Sequence, residues 1–111
     1  MRASDAVSDY LRCFGNGDID GVAATLAEDA VIEGPLGSFL SRDEYVAALR
    51  ADPPVATAVT VIARTGTGDE VTVFYTCGKP GGKLTVAQLF RLRGGLIHGS
   101  LLVFSPREPE Q

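Results

Sequence analysis

Apolar residues recur with a helical period at the start of the chain and with a period of two from its middle onward. Val7, Tyr10, Leu11 and Phe14 fall at i, i+3, i+4 and i+7, which is one face of a helix. Ser4 stands where an N-cap belongs, and Asp5 adds negative charge to the first turn. Gly15-Asn16-Gly17 stops this helix, and Asp18 caps a second, shorter one that buries Ile19, Val22, Ala23 and Leu26. A short strand follows over 30–33 and closes at Gly34-Pro35.

The third helix has the clearest local signals. Ser41-Arg42-Asp43-Glu44 is a capping box: the serine accepts from the third helical N–H and the glutamate reaches back. Leu40 before the cap and Tyr45 after it predict a hydrophobic staple. The helix is expected to run through Leu49 and to end before Pro53-Pro54.

From Val55 the alternation predicts four strands, over 55–65, 70–78, 83–93 and 96–104. Gly66-Thr67-Gly68, Lys79-Pro80-Gly81-Gly82 and Gly94-Gly95 separate them. Connections this short require antiparallel neighbours. Helices precede and stand apart from an antiparallel sheet, so the class is α+β. A strongly curved sheet wrapped over helices leaves a concave apolar space of the kind that binds ligands.

The chain of 111 residues fits one domain, expected over 1–104, with 105–111 as a frayed tail. Its net charge of −4 argues against nucleic acid as a partner. No apolar run is long enough for a transmembrane helix, and the first residues carry no signal-peptide pattern. Cys13 and Cys77 form neither a disulfide framework nor a zinc spacing and are expected in the core. A cytoplasmic location without membrane contact is therefore expected. One histidine and no clustered carboxylates predict no metal site, and no glycine-rich phosphate loop predicts a cofactor.

The strand over 83–93 is the informative one. Leu84, Val86, Gln88, Phe90 and Leu92 share its apolar face, so an amide sits in the middle of a hydrophobic wall. Such an amide must find partners or lose roughly 1–3 kcal/mol. It either satisfies neighbouring groups structurally or offers a hydrogen bond to a ligand. Tyr75 and Cys77 join this wall if the odd face of the preceding strand points inward. The last strand is apolar on both faces, which predicts a cover on each, one of them a second subunit packed sheet to sheet.

The register of His98 depends on the last turn. A two-residue turn at Gly94-Gly95 pairs Arg91 with His98. A three-residue turn pairs Phe90 with His98 and Gln88 with Ser100, grouping Gln88, His98 and Ser100. Both remain open from residue pattern alone.

Three segments resemble the nuclear transport factor 2-like superfamily. These are Tyr10 to Gly21 (YLRCFGNGDIDG), Ala27 to Gly37 (AEDAVIEGPLG) and Phe90 to Ile97 (FRLRGGLI). The similarity spans nearly the whole chain and points to its SnoaL-like and ketosteroid isomerase-like members. The resemblance implies a cone-shaped curved sheet around N-terminal helices, with a pocket inside. It also implies that residues 98, 100, 102 and 104 line that pocket, which favours the three-residue turn.

The ketosteroid isomerases use a helix-one tyrosine and a protonated acid as oxyanion donors, with an aspartate base. By resemblance, Tyr10 falls on the tyrosine, Gln88 on the oxyanion acid and Gly34 on the base. A missing base removes a large catalytic factor, which argues against steroid isomerisation. His98 is the remaining candidate base near neutral pH. The expected catalytic set is thus His98, Tyr10 and Gln88. The expected ligand wall is Tyr75, Phe90, Ser100, Gly34, Leu102 and Phe104. Three functions follow: acid–base chemistry on a hydrophobic carbonyl compound, binding of such a compound without reaction, or a dimeric interaction module.

Overall fold

A computed structural model describes residues 6–34, 37–52, 58–79 and 82–104, the side chains of Thr67 and Lys79 excepted. The Ser4 cap, Asp5, Pro35, the Pro53-Pro54 stop, the Pro80-Gly81 turn and the 105–111 tail lie outside these residues, as do the first residues of the strand expected from Val55. The elements are α1 (Ala6–Asn16), α2 (Ile19–Ala24), β1 (Leu26–Gly34), β2 (Gly37–Phe39), α3 (Arg42–Ala51), β3 (Val59–Thr67), β4 (Glu70–Lys79), β5 (Gly82–Arg93) and β6 (Leu96–Phe104). All six strands form one curved sheet in the order β2-β1-β6-β5-β4-β3.

Local chemistry explains the helices. The Asp18 carboxylate caps α2 by accepting from the Gly21 N–H at 2.9 Å. A Cβ on Gly21 would lie 2.5 Å from both Cys13 Sγ and the Asp18 carboxylate, so only glycine lets α1 and α2 approach this closely. Ser41 Oγ caps α3 by accepting from the Glu44 N–H at 3.1 Å. Glu44 reaches back one residue further than expected, to the Leu40 N–H at 2.7 Å. The staple does not form: Leu40 is 69% exposed, while Tyr45 is buried and turns to other partners.

Two more expectations are corrected. The first strand begins at Leu26 rather than Ala30, so Leu26 is buried from a strand and α2 is only six residues long. That strand pairs with β6 in parallel, Ile32 opposite Ser100 and Glu33 opposite Leu101. The pairing of β1 and β6 uses long-range hydrogen bonds that no local pattern encodes. The three-residue β2 also went unforeseen; it pairs antiparallel with the end of β1.

The helices cover the concave face. Val7, Tyr10, Leu11, Val22 and Tyr45 pack there against Val71, Val73, Tyr75, Val86, Phe90 and Ile97. Phe90 is fully buried and meets the Tyr10 ring edge-on, with centroids 5.4 Å apart. On the convex face Phe74, Ala87 and Val103 lie opposite one another across three strands, and Phe74, Leu101 and Val103 are exposed.

The β5–β6 turn resolves the His98 question in a way neither option described. The turn has two residues, Gly94 and Gly95, both at positive φ, as a type I′ turn requires. Arg93 faces Leu96 and Leu92 faces Ile97, but then Arg91 faces Gly99 and Phe90 faces Ser100. His98 is the extra residue of a β-bulge. The bulge flips the parity of β6, so Ile97 and Ser100 are both buried.

Candidate functional site

The site grows from the meeting of three elements at one end of the sheet. The parallel register sets Gly34 beside Leu102, where a Cβ on the glycine would sit 3.7 Å from the Leu102 carbonyl. The short hairpin places Phe39 opposite Ile32. The capped α3 delivers Tyr45 one turn after Ser41, and its ring lies 5.4 Å from that of Phe39. Ile32, Gly34, Phe39, Tyr45, Leu102 and Phe104 enclose a mostly apolar pocket of about 150 Å³, with Gly37 and Glu33 completing its lining. The Glu33 residue is exposed.

Behind Tyr45 lies a buried polar chain. The Tyr45 and Tyr10 hydroxyls are 2.7 Å apart. The Tyr75 hydroxyl donates to Gln88 Oε1 at 2.7 Å, and Gln88 Nε2 donates to Ser100 Oγ at 2.8 Å. Gln88 also engages the Tyr10 hydroxyl. Gln88 thus accepts through its amide oxygen from Tyr75 and donates through its amide nitrogen to Ser100. Among the described residues no buried side-chain nitrogen or oxygen lacks a partner. The cluster therefore avoids the roughly 1–3 kcal/mol that each orphaned group would cost.

Burial governs the acidity of these groups. Tyr10 is raised above the ordinary phenol value by desolvation, partly opposed by hydrogen bonds from Tyr45 and Gln88. Tyr45 and Tyr75 are raised by burial first and by neighbouring Tyr10 second. All three tyrosines of the chain thus stay neutral donors at physiological pH.

The expected site residues divide into three groups. Gly34, Leu102 and Phe104 line the pocket. Tyr10, Gln88, Tyr75 and Ser100 form the hydrogen-bonded cluster behind it, and Phe90 is core packing against Tyr10. His98 is not brought to either: the bulge leaves it half-buried near Asp29. The Asp29 carboxyl is held below its usual range by the Arg93 guanidinium at 2.8 Å, with a smaller contribution from His98.

Tyr45, Ile32 and Phe39 were missed as site residues. A tyrosine at a helix position expected to be apolar was the available signal, because a buried phenol usually has a hydroxyl partner. Cys77 is half-buried and its thiol is pushed up by desolvation. Among the described residues no group of three or more His, Cys, Asp or Glu side chains converges on a metal-sized space. No described helix is long and apolar enough to cross a membrane.

Residues 7–99 match the family model of the SnoaL-like domain. The chain belongs to that family. A search of curated proteins finds no match. Solved structures share the fold. An NTF2-like protein of unknown function from Cytophaga hutchinsonii aligns with a TM-score of 0.80 at 19% identity, covering 96% of each chain. A putative ketosteroid isomerase from Kribbella flavida aligns with a TM-score of 0.79 at 19% identity, covering 96% of this chain and 80% of its own. A protein with a ketosteroid isomerase-like fold from Catenulispora acidiphila, in complex with trimethylamine, gives 0.74 at 19% identity, covering 94% and 88%.

Proposed function

We propose that this SnoaL-like domain binds a small, single-ring carbonyl compound in the pocket between β1, β2, α3 and β6. The observation that carries this reading is one hydroxyl chain ending at an otherwise apolar wall. The Tyr45 and Tyr10 hydroxyls share one hydrogen bond at 2.7 Å in which either can donate, and with Tyr10 as the donor the Tyr45 proton can turn to a ligand. A neutral phenol in a mostly apolar wall is a good donor to a carbonyl oxygen. The volume supports a small ligand, because a cavity of roughly 150 Å³ lined by Leu, Ile and Phe accommodates benzene. A steroid nucleus would exceed it. The Catenulispora acidiphila protein is likewise in complex with a very small molecule, trimethylamine. Binding without reaction is favoured because, among the described residues, the lining offers one carboxylate, that of the exposed Glu33.

Calorimetry with cyclohex-2-enone and cyclohexene as probes tests this. The enone is expected to bind at least about fivefold more tightly, one hydrogen bond's worth. Tyr45→Phe is expected to erase that preference. Equal affinity for both probes in the natural protein would sink the reading.

A second reading concerns the convex face, which we infer holds a second copy of the chain. The Phe74, Ala87 and Val103 row and neighbouring Leu101 carry no charge, so stacking two such faces buries no unpaired ion. Arg91 is already paired with Glu70 at 3.0 Å and Arg93 with Asp29. Sedimentation is expected to show a dimer that Val103→Glu converts to monomer. A monomeric natural protein at micromolar concentration would overturn it.

A further inference from the structure

Three aromatic rings border the small pocket: Phe39 from β2, Tyr45 from α3 and Phe104 from β6. Phe39 stands opposite the buried Ile32 and Phe104 opposite the buried Val86, so both rings belong to the concave side of the sheet. The Phe39 and Tyr45 rings lie 5.4 Å apart and are inclined at 58°, which makes a corner rather than a flat stack. Leu102 and Ile32 fill the rest of the wall, and the glycine pair Gly34 and Gly37 leaves the room. Among the described residues the lining holds no lysine, arginine or histidine, and its one charged residue, Glu33, is acidic.

The larger concave space has the opposite character. A groove of about 560 Å³ between α1 and β3 has an apolar floor of Leu11, Val59, Val61 and Val73, with Arg12 and Arg64 at its border. A bulge brings Arg64 there. Val61 faces Tyr75, but Ala63 faces Phe74 and Arg64 faces Val73, so Ile62 is an extra residue and Arg64 takes the concave side. Asp9 accepts from Arg12 at 2.8 Å and Ser8 from Arg64 at 3.2 Å. Two cations at its border disfavour a third in the groove, whereas nothing in the aromatic corner repels one.

We infer that the ligand of the small pocket carries a methylated ammonium group as well as its carbonyl oxygen. Ring faces are negative, so a cation is attracted to them, and the attraction grows where water is excluded. Methylation decides which cation fits. A primary ammonium would bring three N–H donors into a wall with few acceptors and leave them unsatisfied. A methylated nitrogen spreads its charge over apolar groups and asks only for ring faces. The inference rests on the preceding reading for the pocket itself, but the rings carry it and the Tyr45 hydroxyl does not.

The test is calorimetry and amide chemical-shift mapping on the whole chain, with choline and 3,3-dimethylbutan-1-ol as probes. The two have the same shape, and only choline is charged. Choline is expected to bind one to one and about fivefold or more tighter, with shifts at Phe39, Leu102 and Phe104. Phe39→Leu and Phe104→Leu are each expected to weaken choline about threefold or more, with the alcohol changed by less than about twofold. Ethanolamine, which keeps its N–H donors, is expected to bind at least about tenfold more weakly than choline. Equal affinity for choline and its neutral isostere, no choline binding, or a preference insensitive to both ring variants would each overturn the inference. So would ethanolamine binding as tightly as choline, or choline shifts confined to Ser8, Val59 and Arg64. Tyr45→Phe separates the two readings, because it keeps the ring and removes the hydroxyl. It is expected to erase the enone preference and retain the choline preference; loss of the choline preference with the hydroxyl alone would overturn the role given to the rings.

Discussion

The small pocket between β1, β2, α3 and β6 and the groove beside α1 handle polarity in opposite ways. In the small pocket every polar group behind the wall is bonded to another, and a single phenol faces the interior. In the large groove the polar groups are charged, sit at the border and leave the floor apolar. Desolvation explains the difference. A charge deep in the core would cost several kcal/mol, whereas a neutral amide and three phenols can satisfy one another there. Arg12 and Arg64 stay exposed at the border of the groove, where Asp9 and Ser8 accept from them. Polarity in the core is therefore tuned by hydrogen-bond direction, and polarity at the edge by exposed charges held by their neighbours.

Alkaline pH breaks this comparison most strongly. The folded-state values of Tyr10, Tyr45 and Tyr75 are all raised above 10.0. Below that pH both states hold the phenol protons. Above it the unfolded chain releases them while the folded chain retains them, so stability falls as pH rises. Three protons at roughly 1.4 kcal/mol each give a slope of about 4 kcal/mol per pH unit. Urea melts at pH 9, 10 and 11 are expected to show it, with phenolate absorbance appearing together with unfolding. Phenolate appearing near pH 10 in a fully folded protein would contradict the buried network.

Gln88→Leu is the next largest. It keeps the volume but strips Tyr75 and Ser100 of their shared partner, at a cost of about 3 kcal/mol in urea unfolding. A loss below about 0.5 kcal/mol would mean that the network is not what holds β4, β5 and β6 in register.

The mildest change sharpens the pocket itself. Gly34 has ordinary space for a Cβ, 3.7 Å or more from Leu102, and no positive φ. Gly34→Asp is expected to alter stability by less than about 1 kcal/mol. It places a carboxylate beside the Tyr45 hydroxyl's pocket, where deuterium exchange at the α-carbon of cyclohex-3-enone is expected to become measurable by proton NMR. Exchange no faster than in the natural protein would show that Tyr45 does not polarise a carbonyl there.

The sites differ in how visible they were in the sequence. Gly34, Leu102 and Phe104 were assigned to the wall by strand alternation and family likeness, and they line the pocket. Tyr45 was hidden because its spacing from Leu40 fits a staple, and only the position of α1 showed that its hydroxyl meets Tyr10 instead. His98 was ambiguous because face alternation presumes an unbroken ladder, which a bulge interrupts. The arginine groove had no sequence signal, since Arg64 reaches the concave face only through the bulge at Ile62.

By itself the sequence determined the helix–helix–strand–helix order, the caps at Asp18 and Ser41, the antiparallel run of β3 to β6 and the buried amide at Gln88. These rest on interactions between residues close in the chain or on a simple period, so they can be read locally. The tertiary structure alone decided the parallel pairing of β1 with β6, the two parity-changing bulges and the meeting of Tyr10 with Tyr45. Each depends on how a curved sheet closes over its helices, and a one-residue shift in that long-range pairing moves a side chain from solvent to the interior.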